Sequence, residues 1–510
     1  MNNSIERVVI VGGGSAGWMT AAALAKVLDT KQTTVTLIES GEIGTVSVGE
    51  ATIPQIQLFN QILGIDEDEF VRETCATFKL GIEFQNWRNT NHRYMHPFGV
   101  HGTVMDAIPF HHFWLKMQGN TSVPPLDEYS LATVAARQGK FMRPQRNAGN
   151  SPLSQINYAF HFDATLYAKY LRKLAERGGV RRIDAKVDEV LLRADNGHID
   201  AVRLDSGELI DGDLFIDCTG FKGLLIEGAL KTGFEDWSEW LPCDRAVAMP
   251  CTTNEEPKPY TVSEAQSAGW TWRIPLQHRI GNGYVYPSKF VSDDEAVGLL
   301  RSKLTGDALA EPNFLRWITG TRKKIWNKNC VAIGLSAGFI EPLESTGLHM
   351  IQATIAKLLG FFPSKEFSDV DRDTFNRQLK LDNERIRDFI ILHYKVTDRD
   401  DSEFWRYCKG MKVPSFLEEK MALYQSNGRV YRQDQELFNE TSWLAVMQGQ
   451  GLASRGYHPL VNTHTDEEVL RRLSHIKRVI DDSVSVMPSQ QRFIDDHCKA
   501  NLPERIAATV

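Results

Sequence analysis

Residues 334–347 combine glycine turns, three hydroxyl side chains and two carboxylates in one short stretch, GLSAGFIEPLESTG. The apolar run 330–333 before it predicts a buried strand, and apolar residues at helical spacing follow it. Ser345 and Thr346 are therefore expected at a helix start, where free backbone N–H groups and the helix dipole attract anions. Gly347 has no side chain to obstruct a small ion. An ordinary capped helix after a proline turn fits the same residues, so both interpretations stay open.

A second pattern with clear chemistry lies at the N-terminus, where the apolar run 8–11 leads into GGGSAG at 12–17. Apolar residues at helical spacing follow, and a second apolar run, 35–38, ends in Glu39. A strand–turn–helix–strand unit of this kind brings the backbone close to a pyrophosphate and places the acid on a ribose hydroxyl. The pattern predicts dinucleotide binding, and its position at the extreme N-terminus favours FAD over NAD. The expected cofactor-binding residues are Gly12, Gly14, Ser15, Ala16, Gly17 and Glu39.

The composition is that of a large globular protein, because 42% of the 510 residues are hydrophobic and 24% are charged. The net charge of −7 argues against a nucleic-acid partner, which needs a basic surface. Neither a signal peptide nor an apolar run of membrane-spanning length is visible, so we expect no membrane partner. The seven cysteines are scattered without a Cys-x-x-Cys pair, and no His-Glu-x-x-His spacing occurs. We therefore expect a reduced, cytoplasmic protein without a metal site. The adjacent His111 and His112 are expected to be a structural or surface pair.

The pattern of strands and helices divides the chain into two parts. Residues 1–365 mix both with glycine turns and predict an α/β, Rossmann-like FAD-binding domain. A loop-rich insert near 88–150 and a strand-rich stretch near 240–290 interrupt it. Residues 366–510 predict a mainly helical subdomain. No second Gly-x-Gly-x-x-Gly follows a strand, so no site for a nicotinamide donor is visible.

Two further segments fit a flavin-binding core. Residues 214–220 form an apolar strand that ends in a small-residue turn, a common way for a chain to approach the adenosine half of FAD. Residues 48–54, reading VGEATIP, follow the second strand and are expected near the same cofactor. A plain strand-to-loop turn explains either segment as well. The candidate residues of the second segment are Val48, Glu50 and Ala51.

Together with Lys79 and the GWTWRIP run at 269–275, these motifs resemble the flavin-dependent halogenases of the tryptophan-halogenase family. The resemblance covers most of the chain, roughly residues 1–460, and weakens after that. It implies an FAD domain of the flavin monooxygenase type, with the helical subdomain on the substrate side. Leu335 stands where flavin hydroxylases of the same fold carry an aspartate. The resemblance implies FADH2 supplied by a separate NAD(P)H-dependent reductase, with O2 and chloride or bromide as co-substrates. The motif residues that distinguish these halogenases from the hydroxylases are Trp270, Trp272, Ile274 and Pro275.

The resemblance also implies roles for individual residues. Lys79 matches the family's essential lysine, which hydrogen-bonds hypohalous acid or forms a haloamine. Glu344 matches the carboxylate that stabilises the cationic intermediate of aromatic substitution and takes its proton. Ser345, Thr346 and Gly347 match the halide site. By themselves, the residues also allow two ordinary interpretations. Lys79 fits a solvated lysine on a strand whose other face carries Phe78, Leu80, Ile82 and Phe84. Glu344 fits a first-turn acid that favours the helix dipole.

The substrate is the least determined part of the sequence. His96, Phe98 and Phe438 align with the family's ring-sandwiching aromatic residues, which indicates a flat, electron-rich arene such as indole. Members that bind free tryptophan carry a paired-tyrosine, acid-bearing segment before the last aromatic residue, and the stretch 428–436 lacks that pair. We therefore expect an open pocket for indole or a larger indole-containing or carrier-bound substrate.

Three hypotheses about activity remain: a halogenase, a flavin monooxygenase that inserts oxygen, and a catalytically silent flavoprotein. The sequence does not determine the halide preference, the regiochemistry or the oligomeric state. A homodimer is one of the oligomeric states that it allows.

Overall fold

The computed structural model describes residues 3–41, 49–434 and 436–501. The chain forms two compact units, each assembled from three segments. Their bounds differ from the sequence-based division after residue 365, which stays a prediction. The first unit comprises Met1–Cys75, Phe162–Asp244 and Leu315–Glu384, and the second comprises Ala76–His161, Arg245–Phe314 and Arg385–Val510.

The strands of the described residues are short, and most contain buried apolar side chains. They are β1 (Arg7–Val11), β2 (Thr34–Glu39), β3 (Gly49–Ala51), β4 (Thr77–Lys79), β5 (Gly81–Gln85), β6 (Arg93–Pro97), β7 (Ala159–Asp163), β8 (Arg181–Asp184), β9 (Val187–Leu192), β10 (Ile199–Leu204), β11 (Leu209–Asp211), β12 (Leu214–Asp217), β13 (Phe234–Asp236), β14 (Arg245–Ala248), β15 (Thr261–Ala265), β16 (Trp270–Pro275), β17 (Ile280–Tyr286), β18 (Asn313–Arg316), β19 (Gly320–Arg322), β20 (Trp326–Asn327), β21 (Cys330–Ala332) and β22 (Gly338–Phe339).

The two longest helices of the described residues, with 27 and 20 residues, lie after residue 365. They are α1 (Ser15–Val27), α2 (Ile56–Leu63), α3 (Glu67–Glu73), α4 (Phe110–Lys116), α5 (Leu131–Arg137), α6 (Ala164–Arg177), α7 (Asp293–Lys303), α8 (Gly347–Gly360), α9 (Asp369–Lys395), α10 (Glu403–Gly410), α11 (Ser415–Asn427), α12 (Glu440–Gly449), α13 (Asp466–Ser485) and α14 (Gln490–His497).

The first unit is organised around a six-stranded sheet of order β20-β21-β12-β1-β2-β8. β1 pairs in parallel with both β2 and β12, and only the edge pair β20–β21 in this sheet is antiparallel. Val8, Val9 and Ile10 of the central strand are almost fully buried, as expected for a parallel strand covered on both faces. This β1-α1-β2 arrangement confirms the predicted Rossmann-like α/β fold.

The second unit contains a seven-stranded sheet of order β18-β14-β17-β16-β15-β5-β6. The Trp-x-Trp-x-Ile-Pro motif is β16, which lies between the antiparallel partners β15 and β17. A Cβ atom on Gly283 of β17 would come within 2.1 Å of the Trp272 ring. The glycine therefore makes room for that indole against the neighbouring strand. The predicted strand-rich stretch near 240–290 contains β14 to β17.

The part of the chain that the structure describes after Phe339 contains helices and turns but no β-strand. This agrees with the predicted helical character of the C-terminal part. The long α13 begins at a capping box, in which Thr465 and Glu468 each accept a hydrogen bond from the other's backbone N–H. Among the described residues, no helix is long and apolar enough to cross a membrane.

The expectation of one continuous strand from Phe78 to Phe84 is wrong. β4 pairs antiparallel with β7, whereas β5 belongs to the seven-stranded sheet. Leu80 separates the two strands: its N–H donates to the carbonyl of Pro259 at 2.7 Å, and its own carbonyl accepts from the N–H of Phe98 at 2.8 Å. Because these bonds lead to other segments, the two-residue alternation predicted for the whole stretch does not hold across Leu80.

Candidate active site

The glycine-rich turn after β1 uses its glycines in two different ways. Gly12 has a left-handed φ of 112°, and a Cβ atom on it would lie 2.2 Å from the Cys218 carbonyl oxygen at the end of β12. A Cβ atom on Gly17 would lie 1.9 Å from the carbonyl oxygen of Gly12. A Cβ atom on Gly14 would meet no atom within 4 Å. Gly12 and Gly17 therefore allow close packing, while Gly14 leaves the N-terminus of α1 open to a ligand phosphate.

Glu39, at the end of β2, is held against the same turn. Its carboxylate accepts hydrogen bonds from the indole N–H of Trp18 at 3.2 Å and from the Arg182 guanidinium. A Cβ atom on Gly13 would overlap this carboxylate, so the backbone and the acid are in close contact. A carboxylate has about four acceptor positions, so one fixed in this way still has capacity for a ribose hydroxyl. Ribose binding stays a prediction.

Only part of the predicted segment 48–54 can be placed, because Val48 lies outside the described residues. Glu50 and Ala51 belong to β3. Burial raises the pKa of Glu50 to about 7. A carboxyl group of this kind is partly protonated near neutral pH, and it can then donate as well as accept a hydrogen bond.

The turn that contains Leu335 lies against the start of α1. It is a 3-10 turn, Gly334–Ser336, that directly follows β21. A Cβ atom on Gly334 would lie 2.7 Å from the Cβ of Ala16 and 3.6 Å from the Ile351 side chain of α8. Gly334 therefore lets three segments of the first unit come close together. They are the glycine-rich turn 12–17, the turn that contains Leu335, and α8, which follows the candidate halide residues.

The candidate halide site lies at the start of α8, as the sequence predicts. Ser345 is left-handed, with a φ of 60°, and Thr346 is the residue immediately before the helix. Thr346 is fully buried, yet its hydroxyl makes no capping bond and has no hydrogen-bond partner among the described residues. A Cβ atom on Gly347 would meet no atom within 4 Å. The residues therefore fit a small bound anion better than an ordinary capped helix.

Glu344 lies in the 3-10 turn Pro342–Glu344 and is fully buried. The first turn of α8 begins after it and contains no acidic residue. The interpretation of Glu344 as a first-turn acid is therefore wrong, because the helix starts later than that role requires.

Two polar residues of α8 that sequence reasoning missed are His349 and Gln352. Among the described residues, neither the His349 Nδ1 atom nor the Gln352 Nε2 atom has a hydrogen-bond partner, and both atoms are buried. Burial lowers the pKa of His349 to about 4, so its ring is neutral near pH 7. Their presence in an otherwise apolar helical pattern was a usable signal, because buried polar groups normally have a partner.

Lys79, in the second unit, is fully buried rather than solvated. Its Nζ lies 5.1 Å from the ring centroid of Phe98, within the range of a cation–π contact. Burial, together with the charge of Lys79, holds the pKa of His161 well below its usual range, so this neighbouring ring is neutral. The structure therefore contradicts the exposed-lysine interpretation.

Several hydrogen bonds fix the strand that bears Lys79. The Thr77 hydroxyl donates to the Pro275 carbonyl at 2.6 Å, which connects β4 to the end of the tryptophan motif. The N–H of Phe78 donates to Gln490 Oε1 at 2.9 Å. The backbone is fixed before Lys79 by these two bonds and after it by those of Leu80. The lysine therefore has a defined position, as a catalytic group requires.

The predicted substrate residues lie in one aromatic cluster of the second unit. The ring of His96 lies 6.4 Å from Phe98 and 6.3 Å from Phe438, measured between centroids. Sequence reasoning missed Phe389, whose ring stacks on Phe438 at 3.8 Å and 21°. No local pattern could reveal this contact, because Phe389 belongs to a long helix with an ordinary apolar face.

The two tryptophans of β16 are buried in the core of the second unit. Their rings lie 6.1 Å apart, and Trp270 is 6.5 Å from Trp87. This is the core packing that is the usual position of tryptophan.

His111 and His112 are also buried, which excludes a surface pair. Their rings lie 4.1 Å apart, and His111 Nε2 is 2.8 Å from the carbonyl oxygen of Gly428. The pair is therefore structural, and it contacts the start of the segment 428–436.

Comparison with known proteins identifies the protein family. The model of the family described as tryptophan halogenase matches residues 7–466. The chain belongs to the tryptophan halogenase family. It is 35% identical to tryptophan 6-halogenase ThaL of Streptomyces albogriseolus, over 96% of this chain and 98% of that protein. It is 34% identical to tryptophan 7-halogenase RebH of Lentzea aerocolonigenes, over 97% and 99% of the two chains.

Solved structures of flavin-dependent halogenases have the same fold. Xcc4156 from Xanthomonas campestris superposes with a TM-score of 0.94 at 45% identity, over 98% of this chain and all of that one. BrvH from Brevundimonas sp. BAL3 gives 0.93 at 45% identity, over 97% and 99%.

Membership confirms the predicted enzyme class and its cofactor. The protein is a flavin-dependent halogenase that uses FADH2 and a halide. Such enzymes take reduced flavin from a separate reductase and act on aromatic substrates. The family therefore favours halogenation over the flavin hydroxylase and silent-flavoprotein alternatives.

Proposed function

We propose that the enzyme halogenates an electron-rich, indole-type arene with hypohalous acid that Lys79 directs. The observation that carries this proposal is the fully buried amine of Lys79, 5.1 Å from the Phe98 ring, in a unit that also groups His96 with Phe438. Reduced FAD, when bound, supplies the activation of O2 that converts halide to hypohalous acid. The chain's own residues must then hold the halide, deliver the halogen and take up the arene's proton.

Lys79 acts on the hypohalous acid through its Nζ atom. As an ammonium it donates a hydrogen bond to the oxygen and polarises the oxygen–halogen bond. As a neutral amine it forms a nitrogen–halogen bond and releases water, which stores the electrophile on the side chain. Because Lys79 is fully buried, either species is protected from bulk water.

Halide binding is assigned to Ser345, Thr346 and Gly347. The unpartnered hydroxyl of Thr346 and the open space at Gly347 support this assignment. Glu344 takes the proton that leaves the ring carbon when the halogen adds. Its full burial supports this role, because a carboxylate shielded from water is a stronger electrostatic partner for a developing cation. The proposed cofactor residues are Gly12, Gly14, Ser15, Ala16, Gly17, Glu39, Val48, Glu50, Ala51 and Leu335.

The proposal includes the setting of the enzyme. Reduced flavin arrives by diffusion from an NAD(P)H-dependent reductase, and the cytoplasm is the proposed location. All seven cysteines are buried and free of disulfides, which is typical of reducing compartments. A homodimer is the oligomeric state to be tested by size-exclusion chromatography with light scattering.

One reaction mixture tests the activity. The enzyme is supplied with a flavin reductase, FAD, NADH, O2, bromide and indole, and products are identified by mass spectrometry. Bromoindole that disappears when bromide is omitted supports the proposal. Hydroxyindole instead of bromoindole would establish the monooxygenase alternative, and flavin oxidation without any indole product would establish the silent flavoprotein.

Filling the space at Gly347 should weaken halide use. Gly347→Val adds a branched side chain where no protein atom lies within 4 Å, so the protein tolerates it but a small anion cannot approach the backbone. We expect the KM for bromide to rise by about tenfold or more, the effect of losing about 1.4 kcal/mol of binding. The measurement is initial rate against bromide concentration.

The matched control is Gly360→Val, at the exposed C-terminal end of the same helix, where a Cβ atom also meets nothing. It should leave the bromide KM unchanged. An unchanged KM in Gly347→Val, or an anomalous bromide peak in crystals elsewhere than at this helix start, would contradict the assignment.

Removing the Phe438 ring should impair indole use more than flavin binding. Phe438→Ala deletes a stacked ring, and an aromatic pair contributes about 0.5–1.5 kcal/mol beyond its buried area. We expect the KM for indole to rise by about tenfold, with FAD affinity near that of the wild type. The exposed Phe314 provides the control, Phe314→Ala.

The same assay compares indole with free tryptophan. Because the segment 428–436 lacks the paired tyrosines, kcat/KM for indole should at least equal that for tryptophan. A clear preference for free tryptophan would show that the amino-acid group has anchors elsewhere in the helical part of the chain.

A further inference from the structure

Lys420 of α11 is a buried ammonium surrounded by aromatic rings. Only 3% of its side chain is exposed. Its Nζ lies 4.9 Å from the ring centroid of Phe416, 4.4 Å from Tyr431 and 4.6 Å from Trp443. Three rings at this range form an aromatic cage of the kind that recognises cationic ligands.

The fourth side of the cage is a buried carboxylate. Glu436 Oε1 lies 3.1 Å from Lys420 Nζ, and the acid's side chain is also only 3% exposed. Its Oε2 accepts from the indole N–H of Trp443 at 3.1 Å, and Oε1 accepts from the backbone N–H of Gln433 at 2.9 Å. The acid of this segment therefore already binds three donors of the chain itself, one of them a charged ammonium.

Lys420 also holds the segment itself, since its Nζ donates to the Tyr431 carbonyl at 2.7 Å. One ammonium therefore connects α11 to both Tyr431 and Glu436. Burial lowers the pKa of Lys420, and the charge of Glu436 opposes that shift. An ion pair this deeply buried is costly to break, because either partner alone would be an uncompensated charge.

The cage is next to the aromatic cluster assigned to the substrate. Trp443 forms one wall, and its ring lies 4.9 Å from Phe389, edge to face. Phe389 in turn stacks on Phe438 at 3.8 Å. Two ring contacts therefore separate the cage from the ring expected to bind the arene.

We propose that Lys420 is a specificity-determining and positioning residue. Its ammonium occupies the carboxylate of Glu436, which would otherwise accept a substrate ammonium. It also fixes the segment that leads to Phe438. The proposal rests on the proposed function for the aromatic cluster. The enzyme should therefore prefer indoles that carry no charged amine. The acid next to the arene cluster is neutralised from within the protein.

Substrate selectivity provides the first test. Indole and tryptamine differ by an aminoethyl group that carries one ammonium. Wild-type enzyme should favour indole in kcat/KM, whereas Lys420→Ala should raise the tryptamine-to-indole ratio by about tenfold, because a hydrogen-bonded charge contributes about 1.5–3 kcal/mol. The double variant Lys420→Ala/Glu436→Gln should lose this gain. Lys409→Ala, which removes an exposed lysine of α10, should behave like the wild type.

Thermal stability provides a readout that is independent of halogenation. Lys420→Ala should lower the Tm by several degrees, and methylammonium chloride at tens of millimolar should restore part of that loss relative to equal sodium chloride. Wild type and the double variant should show no such difference. Tm values are measured by differential scanning fluorimetry.

The two tests separate failure of this inference from failure of the proposed function. Absence of bromoindole with wild-type enzyme would overturn the proposed function, and the methylammonium effect would still test the cage. A wild-type preference for tryptamine over indole would overturn the inference. An unchanged ratio together with no methylammonium effect in folded Lys420→Ala would also overturn it. If Lys420→Ala does not fold, the wild-type preference between indole and tryptamine tests the inference. The double variant Lys420→Met/Glu436→Gln retains the side-chain volume and removes both charges. It should fold and keep the preference for indole.

Discussion

Replacing Lys79 with alanine should abolish halogenation while FAD binding and flavin oxidation persist. The amine is fully buried, and hydrogen bonds fix the backbone before it at Thr77 and Phe78 and after it at Leu80, so water cannot easily take its place. Without it, hypohalous acid has no group that polarises it or binds its halogen, and it escapes instead of reacting with the arene. The measurement is bromoindole formation by mass spectrometry, alongside NADH consumption and FAD affinity.

A buried lysine could also matter for stability, so Lys79→Met is the matched variant. Methionine keeps much of the apolar volume but has no amine. Both variants should be inactive, and the methionine variant should keep a Tm close to that of the wild type. Substantial bromoindole from a folded Lys79→Met enzyme would sink the assignment of Lys79, whatever its effect on stability.

Glu344→Gln should lower the rate of halogenation strongly but incompletely. Loss of a positioned general base costs roughly 10²–10⁴-fold. The amide keeps the shape of the fully buried side chain and one acceptor oxygen, but it cannot take up the proton or offset a developing positive charge. The effect should appear in kcat for indole, with little change in the bromide KM, because halide binding is assigned to Ser345, Thr346 and Gly347.

The control for this substitution is Glu403→Gln, because Glu403 is an exposed acid that does lie in the first turn of a helix, α10. It should leave activity unchanged. If Glu344→Gln also retained the full rate, Glu344 would be a structural acid, and another group would have to remove the proton.

The sequence alone determined those features that depend on local patterns. The apolar runs around residues 8–11 and 35–38 and the glycines between them predicted the β1-α1-β2 unit, because strand and helix periodicity and tight turns are properties of neighbouring residues. The start of α8 after Thr346 followed from the same reasoning. The tryptophan motif and Leu335 indicated a halogenase without any knowledge of their contacts.

Tertiary structure alone decided the environment of each site residue. Lys79 looked like a solvated strand residue, but it is fully buried. The strand predicted around it ends at Leu80, which bonds to Pro259 and Phe98 in other segments. The contact of Phe389 with Phe438 joins side chains that are far apart in the sequence.

The aromatic cage around Lys420 is also a result of tertiary structure. The residues that meet there come from α11, from the segment after it and from α12, and no spacing rule connects them. Periodicity shows which face of an element is buried, but it does not show which distant side chain packs against that face. The resemblance of its motifs to a known family could therefore indicate the reaction and suggest residues for it, whereas only the folded chain showed that Glu436 is already paired with Lys420.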